Sequence, residues 1–250
     1  MVDSVGERTI DRYLASGFAT VRGMSSHFAA TICAYLVHRQ TELGISGGIA
    51  EIGAFEGRFF IALALGLANG ERAIAIDRFD WPDADTINRF HDNCARHGLD
   101  RGRYRAIKAD SRALTADALR SSDDGSEFRF VHIDGEHTDE SLARDLALAH
   151  AVLHPQGILC LDDMLHPIYP FLIETVGRYL RDHPEMRLFC IIDREDVVAA
   201  AKFLICRAGA VALYEDDLMR RFQAAHLTIG GDALGHLCVV LTPQPRLFAL

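Results

Sequence analysis

The chain has no pair of cysteines at C-x-x-C spacing. Its six cysteines, Cys33, Cys94, Cys160, Cys190, Cys206 and Cys238, are scattered singly. That usage excludes a zinc ribbon and a disulfide frame, and fits reduced, buried thiols in a cytoplasmic protein. No apolar run approaches the roughly 20 residues needed to cross a bilayer, so no membrane partner is expected. The opening MVDSVGERTIDRYLASGF has acids early and no uninterrupted apolar stretch, and reads as neither signal peptide nor anchor. Clustered Lys/Arg is also missing. With 26 basic against 35 acidic residues the formal charge is -9, which argues against a nucleic-acid surface. There is no repeat, low-complexity linker or block of like charge. What remains, 49% hydrophobic and 24% charged in 250 residues, is ample material for a packed core.

Two helical patterns come first, around Glu7 to Ala15 and Ser25 to Glu42, the second with Phe28, Ile32, Tyr35, Leu36 and Val37 at helical spacing. Strands and helices then alternate: GIAEIGAF, a helix from Gly57 to Ala68, RAIAIDRF, a helix from Asp83 to His97, YRAIKADS, a short helix near Thr115 to Leu119, and FRFVHID. A helix from Asp139 to Leu153, GILCLDDM, a helix from Tyr169 to Arg181, MRLFCIID and AKFLICRAG follow. This alternation predicts an α/β fold, a doubly wound, mostly parallel sheet. Only Arg194 to Ala200 separates the last two strands, too little for a helical crossover, so they are expected as an antiparallel hairpin at the sheet edge. The run His236 to Leu241 reads as an added strand. Residues 1–46 are expected to form a helical extension, a lid or dimer contact, before a domain over 47–250.

In such sheets ligands bind beyond the carboxyl ends of the strands. The first strand ends in Glu51-Ile52-Gly53-Ala54-Phe55-Glu56-Gly57, where Gly53 and Gly57 let the backbone turn tightly beside a ligand. Its G-x-x-x-G spacing differs from the G-x-G-x-x-G of dinucleotide binders. The second strand ends at Asp77, placed to accept bonds from ribose hydroxyls, and the third at Asp110-Ser111, placed for an adenine amino group. Each acid alone reads as a helix cap or turn. Three in register on consecutive strands point to a nucleoside.

The order E-x-G-x-x-x-G, then Asp77, then Asp110 resembles the class I S-adenosylmethionine-dependent methyltransferases over roughly Gly48 to Gly209. The resemblance implies a seven-stranded Rossmann-like sheet with an antiparallel last strand. It also implies S-adenosylmethionine as cofactor, with Glu51, Gly53 and Gly57 beside the methionine part, Asp77 on the ribose, and Asp110 with Ser111 by the adenine.

Two apolar strands end on acids: Asp134 closes FRFVHID, and Asp162-Asp163 closes GILCLDDM. One helix separates them, so the strands can be neighbours and the carboxylates can converge. Convergent carboxylates without a counter-charge would force one to stay protonated; a hard cation such as Mg²⁺ removes that penalty and can lower a substrate hydroxyl's pKa. His137, three residues after Asp134, can take the hydroxyl proton, and His166 is a rival base. D-G-x-H, a helix and D-D together resemble the metal-dependent O-methyltransferases of the catechol and macrolide-sugar types. That resemblance implies Asp134, Asp162 and Asp163 as metal ligands and a histidine base at His137. The expected protein is a cytoplasmic homodimer that methylates a hydroxyl on a small molecule. A metal-free N- or C-methyltransferase and a non-catalytic nucleoside-binding domain are the alternatives.

Overall fold

The computed structural model describes residues 9–121 and 127–244. The pattern at Glu7 to Ala15 lies partly outside them; from residue 9 the chain is helical, through a π turn at Tyr13–Gly17 and a 3-10 turn at Phe18–Thr20. Helix α1 follows at His27–Glu42, where Ser26 Oγ accepts the Ala29 amide, an N-cap that fixes the helix start. Strands β1 (Gly48–Ile52), β2 (Ala73–Asp77), β3 (Tyr104–Lys108) and β4 (Phe128–Ile133) are joined by α2 (Arg58–Ala64), α3 (Thr86–Arg96) and α4 (Ala116–Ser121). Then come α5 (Asp139–Val152), β5 (Leu153–Met164), α6 (Leu172–Asp182), β6 (Met186–Ile192), β7 (Ala201–Arg207), α7 (Glu215–Arg221), β8 (Gly231–Ala233) and β9 (His236–Leu241).

The sheet order is β3-β2-β1-β4-β5-β7-β6-β9-β8. β1 to β5 run parallel and β7 antiparallel to both neighbours, which is the doubly wound sheet the alternation predicts. The implied seven strands are joined by β8 and β9, and the 236–241 run is a strand as read. One expectation is corrected: the β6–β7 hairpin is not at the edge, because β9 pairs in parallel with β6 and carries the sheet beyond it. Both faces are covered. α1 and α2 pack on one, α5 and α6 on the other, so the central strands are apolar on both sides. Arg129, fully buried on β4, binds Glu71 at 2.6 Å and the carbonyl of Val37 at 2.6 Å, which fastens α1 to the sheet. All six cysteines are buried and free. Among the described residues no helix is long and apolar enough to cross a membrane.

Two backbone details set the site. Gly53 has φ +88°, and a Cβ there would lie 1.7 Å from the carbonyl oxygen of Asp134, so only glycine lets the loops after β1 and β4 meet. The β5–β7 ladder is irregular between Leu161 and Met164, which takes Asp162-Asp163 out of regular register.

On α5, Asp145 points inward beneath Gly135; it is 1% exposed, and neither carboxylate oxygen finds a hydrogen bond among the described residues. Burial, with Ser111 opposing it and Asp110 adding to it, raises its pKa to about 6. The unfolded value is about 3.9, so the native state holds this proton more tightly and loses stability as pH rises from about 4 through about 6. Asp145→Asn is therefore expected to raise the melting temperature by about 5 °C at pH 8 and to leave it nearly unchanged at pH 4. Equal melting temperatures at pH 8 would contradict this account of Asp145.

Candidate functional site

A cavity of ≈ 780 Å³ opens at the carboxyl ends of β1 to β4. Glu51, Gly53, Asp77, Asp110 and Ser111 line one part of it, Asp134 and His137 another, and residues 22–25 before α1 close a third side. Gly57 stands outside this wall: it caps α2 with φ +90° and leaves room for Phe90, so its smallness serves the turn and the packing. His166 also stands outside; it is buried, and its Nδ1 accepts the Ile168 amide at 3.1 Å.

Each strand-end acid is held in place. Asp77 accepts the amides of Phe55 at 2.8 Å and Phe79 at 2.6 Å, which ties the glycine loop to the end of β2. Asp110 accepts the Arg112 amide at 3.0 Å and pairs with its guanidinium at 2.6 Å, which lowers its pKa to about 2. Phe79 is buried in the core. Trp81, 59% exposed, lies on the cavity rim against Phe55, with the Arg22 guanidinium 5.7 Å from its ring centroid.

On the face of the sheet toward α1 and α2, Glu51, His132, Asp162 and Lys202 form a buried chain. Lys202 of β7 is fully buried; its ammonium donates to Asp162 and, at 3.1 Å, to Nε2 of His132. With the ammonium donating, Nε2 accepts and Nδ1–H of His132 donates to Glu51 Oε1 at 2.9 Å; burial and Lys202 favour this neutral ring, while Asp162 and Glu51 pull the other way and raise the His132 pKa. Glu51 Oε2 has no partner among the described residues. Burial works against charge on Lys202 and Asp162 alike, but each holds the other ionised: the Lys202 pKa is raised and that of Asp162 lowered. The Phe59 ring completes the enclosure, 4.4 Å from the ammonium.

The acids do converge, with in-chain cations between them. His137 Nε2 lies 2.5 Å from Asp163 and 3.8 Å from Asp134. Burial alone would lower the His137 pKa; the Asp134 and Asp163 carboxylates beside it outweigh that and hold it up at about 10, although Nε2 is not aligned for a regular hydrogen bond to either. Asp134 is pushed up to about 7 by burial and by Asp162. Asp163 (φ 58°) and Leu165 (φ 61°) hold strained left-handed conformations that shape this end of β5.

This arrangement does not fit a cation held by all three carboxylates. Ligand atoms close enough to share one ion occur as His132, Asp134 and Asp162, and as Asp134, His137 and Asp163, not as the three acids together. Asp162 in particular is taken: one oxygen holds Lys202 and the other the Asp163 amide at 2.8 Å. The sequence reading missed Lys202 and His132, whose signal was a single charged or polar residue inside an apolar strand.

Residues 50–164 match a methyltransferase-domain family. No curated protein matches the whole sequence significantly. The fold is shared with an O-methyltransferase from Bacillus cereus solved with S-adenosylhomocysteine, at TM-score 0.57 and 16% identity over 83% of this chain and 92% of that one. It is shared with the O-methyltransferase TomG from Streptomyces achromogenes, solved with S-adenosylmethionine (TM-score 0.55, 16% identity, 83% and 91% coverage). CalS11, a TDP-rhamnose 3'-O-methyltransferase of calicheamicin biosynthesis, is similar at TM-score 0.56 and 17% identity over 83% and 94%. Residues 50–164 are thus similar to a methyltransferase domain, and the chain shares its fold with class I methyltransferases, the class its strand-end motifs resemble.

Proposed function

We propose that the chain moves the methyl group of S-adenosylmethionine to a hydroxyl of a small molecule. The observation that carries this reading is that one cavity joins the nucleoside-type wall, Gly53, Asp77, Asp110 and Ser111, to the Asp134–His137 wall. In this reading Asp77 accepts the ribose hydroxyls with the lone pairs its two amide bonds leave over. Ser111 and the partly exposed Asp110 meet the adenine, and the unpaired Oε2 of Glu51 accepts from the methionine ammonium. Residues 22–25 act as the lid expected of the N-terminal segment.

The acceptor oxygen attacks the sulfonium methyl in line; the new C–O bond forms as the C–S bond breaks, and the electron pair stays on sulfur. Positioning supplies much of the rate. The hydroxyl proton goes to Asp134, whose pKa near 7 suits a base at neutral pH, while His137 already carries its own proton. This exchanges the expected roles: His137, held protonated by Asp163, orients Asp134 instead of acting first as base. Lys202 and His137 supply the positive charge for which Mg²⁺ was expected, and no step needs a metal.

S-adenosylhomocysteine at a hundredfold excess over its Kd should raise the melting temperature by about 5–10 °C, and Asp77→Ala should weaken its binding by at least about tenfold. No shift at millimolar ligand would overturn the cofactor reading. With labelled S-adenosylmethionine and a panel of phenols, catechols and sugars, the label should end on oxygen. Label on nitrogen or carbon, or cofactor binding without transfer to any substrate class, would favour the alternatives.

Turnover should persist in EDTA and fall as pH drops through about 7, because protonating Asp134 removes the base. Asp134→Asn should lose at least about a hundredfold in kcat while S-adenosylhomocysteine binding stays within a factor of two or three. Activity restored only by Mg²⁺ would show that a metal does the work assigned here to Lys202 and His137.

A further inference from the structure

At the opposite edge of the sheet, where β5 and β6 begin, a second cluster of ligand-type side chains comes together. His150 is in the last turn of α5, His183 caps the end of α6, and Glu185 lies just before β6. Glu185 Oε1 is 3.3 Å from His183 Nδ1 and 3.7 Å from His150 Nε2, and the two imidazole centroids are 4.3 Å apart. Ligands 2.0–2.1 Å from a tetrahedral metal are about 3.3 Å from one another, so two edges of such a polyhedron are already nearly formed. All three ligand atoms lie within 4.8 Å of one another.

The remaining nitrogen of His150 is occupied. Its Nδ1 is 2.8 Å from the hydroxyl of Tyr179 on α6. When Nδ1–H donates to that oxygen, Nε2 is left with its lone pair toward Glu185, the kind of bond that orients metal-binding histidines. Arg207, the nearby fixed cation, spends its guanidinium on the carbonyls of Leu153 and His154.

We propose that His150, His183 and Glu185 form a second site, one that binds a borderline transition-metal ion of the Zn²⁺ class, with water in the open position. Two imidazoles and one carboxylate suit such an ion, whereas Mg²⁺ prefers oxygen ligands alone. The site is remote from the cavity and independent of methyl transfer. It clips the end of α5 and the end of α6 to the start of β6, so its effect is on stability.

The test uses the full chain freed of metal by a chelator, then titrated with ZnCl₂ by calorimetry and followed by thermal unfolding. One ion per chain is expected, with a rise of about 5–10 °C in melting temperature at a hundredfold excess over Kd, and no rise with Mg²⁺. His183→Ala and Glu185→Gln, both at partly exposed positions, should weaken Zn²⁺ binding by at least about tenfold, as should His150→Ala where it folds. His137→Ala, at the other end of the sheet, should leave it unchanged. Absence of binding, binding that survives both His183→Ala and Glu185→Gln, or binding lost in His137→Ala would overturn the proposal.

Discussion

Between β5 and β7 the ammonium of Lys202 is sealed from water, and the contact that makes this tolerable is its bond to Asp162. Removing either partner from a buried pair leaves an uncompensated charge, which typically costs about 3–5 kcal/mol. The rest of the site is arranged around that requirement. His132 gives its lone pair to the ammonium and its proton to Glu51, so the charge on β7 reaches, through three strands, the carboxylate that walls the cavity below the glycine loop. Burial, and Asp162 after it, raise the pKa of Asp134 at the end of β4 to about 7, against the pull of His137 and Lys202. One lysine thus holds Asp162 ionised, and the ionised Asp162 adds to what burial does at Asp134.

The backbone makes these contacts possible. Parallel pairing of β1, β4 and β5 brings their carboxyl ends to one edge, and antiparallel β7 delivers Lys202 back to the same edge. The irregular ladder after Leu161 then turns the two adjacent acids to different partners, Asp162 to Lys202 and Asp163 to His137. Glycine at 53 lets the β1 and β4 loops approach closely, so that Asp77 can anchor Phe55 while the cavity stays open between the loops.

The layout was legible wherever periodicity and chain economy govern. Helix α5 begins at Asp139 as read, the short 194–200 connection does make a hairpin, and the 236–241 run is a strand. The place of that hairpin was not legible, because parallel pairing of β9 with β6 joins segments more than forty residues apart and leaves no local trace. Helix α2 is shorter than its pattern, since the chain leaves the helix after Ala64, just before Gly66. In the site, the convergence of acids could be read from strand ends; the identity of their counter-charge could not. Lysine in AKFLICR and histidine in FVHID look like interruptions of apolar strands, and only the neighbouring strands show that each faces an acid.

In the proposed reading a lysine from the antiparallel strand, in place of a metal ion, neutralises the acids beside the cavity. The most direct test is a crystal structure of the chain grown with S-adenosylhomocysteine and Mg²⁺. The account predicts the ribose hydroxyls on Asp77, the sulfur near Gly53, and Lys202 still bonded to Asp162 with no ion between the acids. An ion coordinated by Asp134, Asp162 and Asp163, with Lys202 displaced, would contradict it.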